Sequence, residues 1–130
     1  MPIDYRIDHT RRLVITEGRG EVTEQEIFGY QREVWSRAEV TGYHELIDMS
    51  TIKSLPTPPA ERMRDLATLA AGTDVPHPGA KLAIVANDDL AFGLAQMYAA
   101  YRSIDPHSTK QVEVFRSLDE AQRWLNPKAP

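Results

Sequence analysis

The stretch KLAIVANDDLAFGLAQMYAAY, residues 81–101, decides the fold. Its first six residues are almost wholly apolar, the pattern of a strand covered on both faces. Asp88 then stands where a helix N-cap belongs, and apolar residues recur beyond it at helical spacing. A strand feeding a helix is half of a βαβ unit, and such junctions often hold a phosphate on free backbone donors. This one presents Asn87, Asp88 and Asp89 with no glycine ahead of the helix. Both carboxylates favour the positive end of the helix dipole and repel an anion. The junction therefore reads as a capped structural turn, with a weak magnesium or hydroxyl-ligand role for the Asp pair as the alternative.

Working outward, the same alternation of strand and helix continues in both directions. Ile3, Tyr5 and Ile7 alternate with Asp4, Arg6 and Asp8, the period of a half-buried strand. Residues 9–12 can turn, and Leu13–Thr16 return as a second strand, completing a hairpin. Thr23 and Glu26 have the spacing of a capping box, opening a helix with Ile27, Tyr30, Val34 and Ala38 on one face. HELIDM, residues 44–49, is the third strand, and the segment STIKSLPTPP after it reads as a loop. Thr57 then caps a helix with Pro58 at its first position, and Gly72 is expected to end it in the left-handed conformation. TDVPHPG is a connection, QVEVF the fifth strand, and Ser117 with Glu120 a second capping box for a short last helix.

The order β-β-α-β-α-β-α-β-α predicts an α/β fold with a five-stranded, mainly parallel sheet, right-handed crossovers and one antiparallel N-terminal hairpin strand at an edge. One domain is expected over residues 1–125, with 126–130 as a tail. At 130 residues the chain can bury a substantial core. A net charge of −4 with interleaved signs argues against nucleic acid as a partner, because no basic face would neutralise phosphates. The absence of cysteine removes disulfides, thiol nucleophiles and thiolate metal sites. No apolar run approaches a membrane span, and the chain reads as cytoplasmic.

Three local signatures, LIDMSTI, AIVANDDLAFGLAQMY and VEVFRSLDEAQRWL, together with the element order, resemble the small stand-alone bacterial SpoIIAA-like proteins of the STAS and SEC14-type superfamily. The resemblance spans roughly residues 3–125 and implies a (βα) superhelix with four helices. It implies binding of an apolar ligand, or association with a membrane surface or a protein partner, and names no reaction. In STAS proteins that regulate sigma factors, the strand matching LIDMS leads into an Asp-Ser-Ser-Gly-like segment whose serine is phosphorylated. Here STIKSLPTPPAE lacks the acidic and glycine positions and offers Ser50, Ser54 and Thr57 as candidate phosphoacceptors. A phosphate near Thr57 would meet the N-terminus of the following helix, where negative charge is favourable.

Catalytic groupings are weak. His9, His44, His77 and His107 do not recur at metal-ligand spacing, and no metal or cofactor is expected. A His44–Asp48 contact can be drawn, but no Gly-x-Ser-x-Gly elbow supports a nucleophile. A small enzyme built on Asp48 or on Asp88–Asp89 is the least supported class. The long helix is more informative, being apolar on more than one side. Leu90, Leu94, Met97, Tyr98 and Tyr101 are expected to face the sheet, leaving Ala91, Phe92, Ala95 and Ala99 as a second apolar region. Gly29 and Gly93 each cost a helix about 1 kcal/mol relative to alanine, which close approach of a ligand or backbone would explain. In the sheet, Tyr5, Leu13, Leu46, Leu82 and Val114 are expected on one face, with Val14, Ile47, Met49, Val85 and Phe115 on the other.

The expected function is a non-catalytic, regulatory STAS-like module that binds a small apolar ligand or a protein partner. The alternative is a phosphorylation-controlled switch of the anti-sigma-factor-antagonist type. Ile47, Met49 and Phe115 are the candidate contacts on the sheet. Phe92, Gln96 and Ala99 are the candidates on the helix, where a two-fold homodimer is expected.

Overall fold

Crossovers of one hand that always step to the next strand in the same direction place every crossover helix on one face of a sheet. That is the architecture of this chain. The computed structural model describes residues 2–55, 57–74 and 80–126, and His77, most of the TDVPHPG connection and tail residues 127–130 lie outside them. Five strands, β1 (Ile3–Asp8), β2 (Leu13–Glu21), β3 (His44–Ser54), β4 (Lys81–Val85) and β5 (Gln111–Phe115), lie side by side in chain order. β1 pairs antiparallel with β2, and the other pairings are parallel. Helices α1 (Glu24–Trp35), α2 (Ala60–Ala71) and α3 (Asp89–Ile104) bridge successive parallel strands. The last helix, α4 (Leu118–Leu125), follows β5 and packs on the opposite face, where Ala121 meets Leu46, Ala83 and Val85.

Local signals in the sequence account for most element ends. Residues 9–12 turn the hairpin, with Arg12 in the left-handed region at φ 54°. Thr23 and Glu26 form a full reciprocal capping box, and the Asp88 carboxylate accepts from the Ala91 amide at 2.9 Å. Ser117 accepts from the Glu120 amide while its hydroxyl donates to the Glu120 carboxylate. Elsewhere the structure corrects the expectation. β2 and β3 both run several residues further than alternation alone indicates, through a segment with register shifts where Gly20 has φ 61°. Consequently Ser50 and Ser54 belong to β3 rather than to a loop. α2 starts at Ala60 with Pro59 as its N-cap, so Thr57 does not cap it. Gly72 ends α2 at φ −65°, in the right-handed region, so no left-handed cap forms.

The two sheet faces also sort differently from the expectation. Pairing sets Tyr5 opposite Thr16, Thr16 beside Ile47, Ile47 beside Ile84 and Ile84 beside Val114. Tyr5, Val14, Ile47, Met49, Leu82 and Val114 therefore share the face under α1–α3. Leu13, Leu46, Val85 and Phe115 share the α4 face, where the Phe115 ring packs 5.6 Å from Trp124. Alternation fixes parity within a strand, but only hydrogen-bond register fixes it between strands.

Candidate functional site

Between the sheet and helices α1–α3 lies a cavity of about 150 Å³. Its floor is Thr16, Ile47, Met49, Ile52 and Ile84 from the sheet; Ile27, Phe28 and Tyr30 wall it from α1, Met63 and Leu66 from α2, and Leu94, Ala95 and Tyr98 from α3. Ala95 faces the sheet where a larger residue would fill the layer. Gly18, also at the wall, makes room for the Ile52 side chain, which comes within 2.6 Å of where a Cβ would sit. At the rim Arg62 pairs with Glu24 across α1 and α2, its guanidinium lying 4.6 Å from the centre of the Phe28 ring.

One end of this apolar space abuts a buried polar network. Tyr30 Oη donates to Glu45 Oε2 at 2.7 Å, accepts from Trp35 Nε1 at 3.1 Å, and lies 2.7 Å from Thr16 Oγ1. Because the Tyr30 proton goes to the carboxylate, Thr16 must be the donor in the last pair. The other Glu45 oxygen lies 3.4 Å from Lys110 Nζ, which itself sits 3.3 Å from the centre of the Trp35 ring. Arg102 Nη1 donates to Tyr98 Oη at 2.9 Å, and its Nη2 donates to Asp74 Oδ2 at 2.7 Å. Asp74 Oδ2 also accepts from the amides of Thr109 at 2.9 Å and Lys110 at 3.3 Å. The four charges of Glu45, Asp74, Arg102 and Lys110 sum to zero, as a buried cluster requires.

Burial dominates the protonation of this network. It pushes the Tyr30 hydroxyl well above its ordinary value, reinforced by the Glu45 charge. It pushes Tyr98 up to about 12, against the opposing pull of Arg102. It lowers Lys110, whose charge Glu45 and Asp74 work to retain. Both tyrosines therefore remain hydrogen-bond donors at neutral pH.

Of the residues expected to form a site, Ile47 and Met49 meet in the cavity wall. Phe115 is separated from them, being on the α4 face. On α3 the buried stripe is Ala91, Leu94, Ala95 and Arg102, with Tyr98 packed beside it. Leu90 and Met97, expected inside, are 57% and 40% exposed. Phe92 is half-buried with the Arg116 guanidinium 4.0 Å from its ring centre, Gln96 is exposed and Ala99 half-buried. An added Cβ at Gly29 or Gly93 would meet no neighbouring atom within 4 Å. Ser50, Ser54 and Thr57 are exposed, and the Ser50 amide and hydroxyl both donate to Asp48 Oδ1. Asp89 pairs with Arg116 at 2.8 Å, and His44 Nδ1 accepts from the Lys81 amide at 3.1 Å. Among the described residues no group of three His, Asp or Glu side chains is placed to hold a metal ion.

The polar network was missed in the sequence, yet two signals were there. Glu45 falls on the same strand face as Ile47 and Met49. Arg102 continues the helical stripe of Ala91, Leu94, Ala95 and Tyr98. A charged residue in phase with an apolar stripe marks a buried pair.

A sequential mixed sheet with three crossover helices on one face and a terminal helix on the other defines a SpoIIAA-like α/β fold. A solved structure with that fold, from Shewanella loihica PV-4, superposes with a TM-score of 0.60 over 95% of this chain and 93% of its own, at 14% identity. It is described as an uncharacterised protein of the DUF3478 family with a SpoIIAA-like fold. No family model matches the chain, and no curated protein does. Among the described residues no helix is long and apolar enough to cross a membrane.

Proposed function

We propose that this protein is a non-catalytic STAS-like module that binds a small apolar ligand between its sheet and helices α1–α3. The observation that carries this reading is the cavity itself, about 150 Å³ with mostly apolar walls. An apolar space of that size accommodates a molecule about as large as benzene, because burying apolar ligand surface against it is favourable. Ile47 and Met49 are the ligand contacts from β3. Calorimetric titration with benzene and toluene tests the proposal. Saturable one-to-one binding is the expected result, and no binding of either removes the reading.

A second reading concerns assembly and rests on a different observation. Leu90, Met97 and Ile104, at seven-residue intervals on α3, are 57%, 40% and 76% exposed. Large apolar side chains in such a row mark a contact surface. The proposed partner is a second copy across a two-fold axis; Gln96 borders this row, while Phe92 and Ala99, two residues on from Leu90 and Met97, lie on the opposite flank of the helix. Light scattering at micromolar concentration checks it. A monomer of 14.7 kDa refutes it.

A further inference from the structure

From the hydrogen bonds at the inner end of the cavity we infer that its ligand carries a hydrogen-bond acceptor, a neutral carbonyl on a benzene-sized apolar body, received by the Tyr98 hydroxyl. The inference rests on the reading of the cavity as a ligand site. Three residues of its wall carry a hydroxyl: Thr16, Tyr30 and Tyr98. The first two are spent as donors, Thr16 on Tyr30 and Tyr30 on Glu45. Tyr98 differs. Its oxygen accepts from Arg102 Nη1 at 2.9 Å, and among the described residues no acceptor takes its hydrogen. A buried hydroxyl hydrogen without a partner is costly, and a ligand acceptor removes that cost. The Arg102 guanidinium polarises the phenol it donates to, which makes Tyr98 a stronger donor.

Charge selects the class of acceptor. Glu45 and Asp74 already balance Lys110 and Arg102 inside the protein, so a carboxylate would bring in an uncompensated buried charge. A ketone or aldehyde accepts the same hydrogen without adding charge. Aryl ketones and aldehydes of one ring match both the volume and the single donor.

The test compares acetophenone with α-methylstyrene, in which a methylene replaces the carbonyl oxygen, on the wild-type protein and on Tyr98→Phe. Tyr98→Phe is expected to weaken acetophenone by roughly 2- to 10-fold, the value of one hydrogen bond, and to leave α-methylstyrene unchanged. Equal effects on both ligands, or no effect on either, overturn the assignment while leaving the cavity reading intact. If neither ligand binds the wild type, the cavity reading fails and this inference with it. Tyr98→Phe also deprives Arg102 of an acceptor, so an infrared measurement on the wild type serves as an independent check. The carbonyl stretch of bound acetophenone is expected below its position in alkane solvent. A stretch at the alkane position overturns the inference. Benzoate is expected to bind more weakly than acetophenone, and tighter benzoate binding overturns the choice of a neutral acceptor.

Discussion

Removing the Asp74 carboxylate is the perturbation whose cost can be worked most fully. Asp74 and Arg102 are each only 2% exposed at the side chain, and one Asp74 oxygen takes Arg102 Nη2 at 2.7 Å together with two backbone amides. Taking one partner from a buried pair leaves the other charge uncompensated, a loss of about 3–5 kcal/mol. At about 2.1 cal/mol/K per residue, 130 residues give an unfolding entropy of about 0.27 kcal/mol/K. Each kcal/mol then moves the midpoint by about 4 °C, so Asp74→Ala is expected to lower it by roughly 11–18 °C. Differential scanning calorimetry reads this, with urea unfolding as a check on the free energy. The double variant Asp74→Leu with Arg102→Met is expected to recover part of the loss, since no charge stays buried. Recovery is partial because the amides of Thr109 and Lys110 still lose this acceptor. A loss below about 1 kcal/mol for Asp74→Ala, the range of an exposed pair, would refute the buried-network account.

Other outcomes follow from the same geometry. Tyr98 ionises near pH 12 in the folded chain and near 10 when unfolded, so it favours folding below pH 10. That contribution is lost as pH rises from 10 to 12, at about 1 kcal/mol per pH unit, and Tyr98→Phe should flatten the dependence in urea titrations across that window. Gly72→Ala is expected to raise stability by about 0.4–1 kcal/mol in urea unfolding, because Gly72 has φ −65° and an added Cβ meets its nearest atoms at an ordinary 3.5 Å. Thr23→Ala should cost about 1 kcal/mol in the same assay through loss of the α1 capping box. Met97→Glu should return a two-fold dimer built on the outer face of α3 to monomer in light scattering, and an unchanged dimer would place the contact elsewhere.

Element types and their order were legible because each rests on local chemistry: alternation at Ile3–Ile7, the apolar run at 82–86, and caps at Thr23, Asp88 and Ser117. The single antiparallel edge strand followed from the short turn at residues 9–12. What stayed illegible depends on relations between elements. Sheet faces were mixed because nothing in QVEVF says which of Val114 and Phe115 aligns with Ile84. The inward stripe of α3 was misjudged because size favoured Leu90 and Met97, whereas close packing on the sheet selected Ala91 and Ala95. The start of α2 was placed early because Thr-Pro has the spacing of a cap, while the chain stays extended through Pro59. The cavity could not be read at all. It is a volume left where Ala95 fails to fill the layer between sheet and helices, and only the packed structure reveals it.

The measurement that bears most directly on the central claim is a methyl-resolved NMR titration with toluene. Saturable shifts and nuclear Overhauser contacts from toluene to Ile47, Met49, Ile84 and Leu94, all in the cavity wall, are the predicted result. Contacts confined to Leu90, Met97 and Ile104 on the outer side of α3, or no saturable shift anywhere, would contradict it.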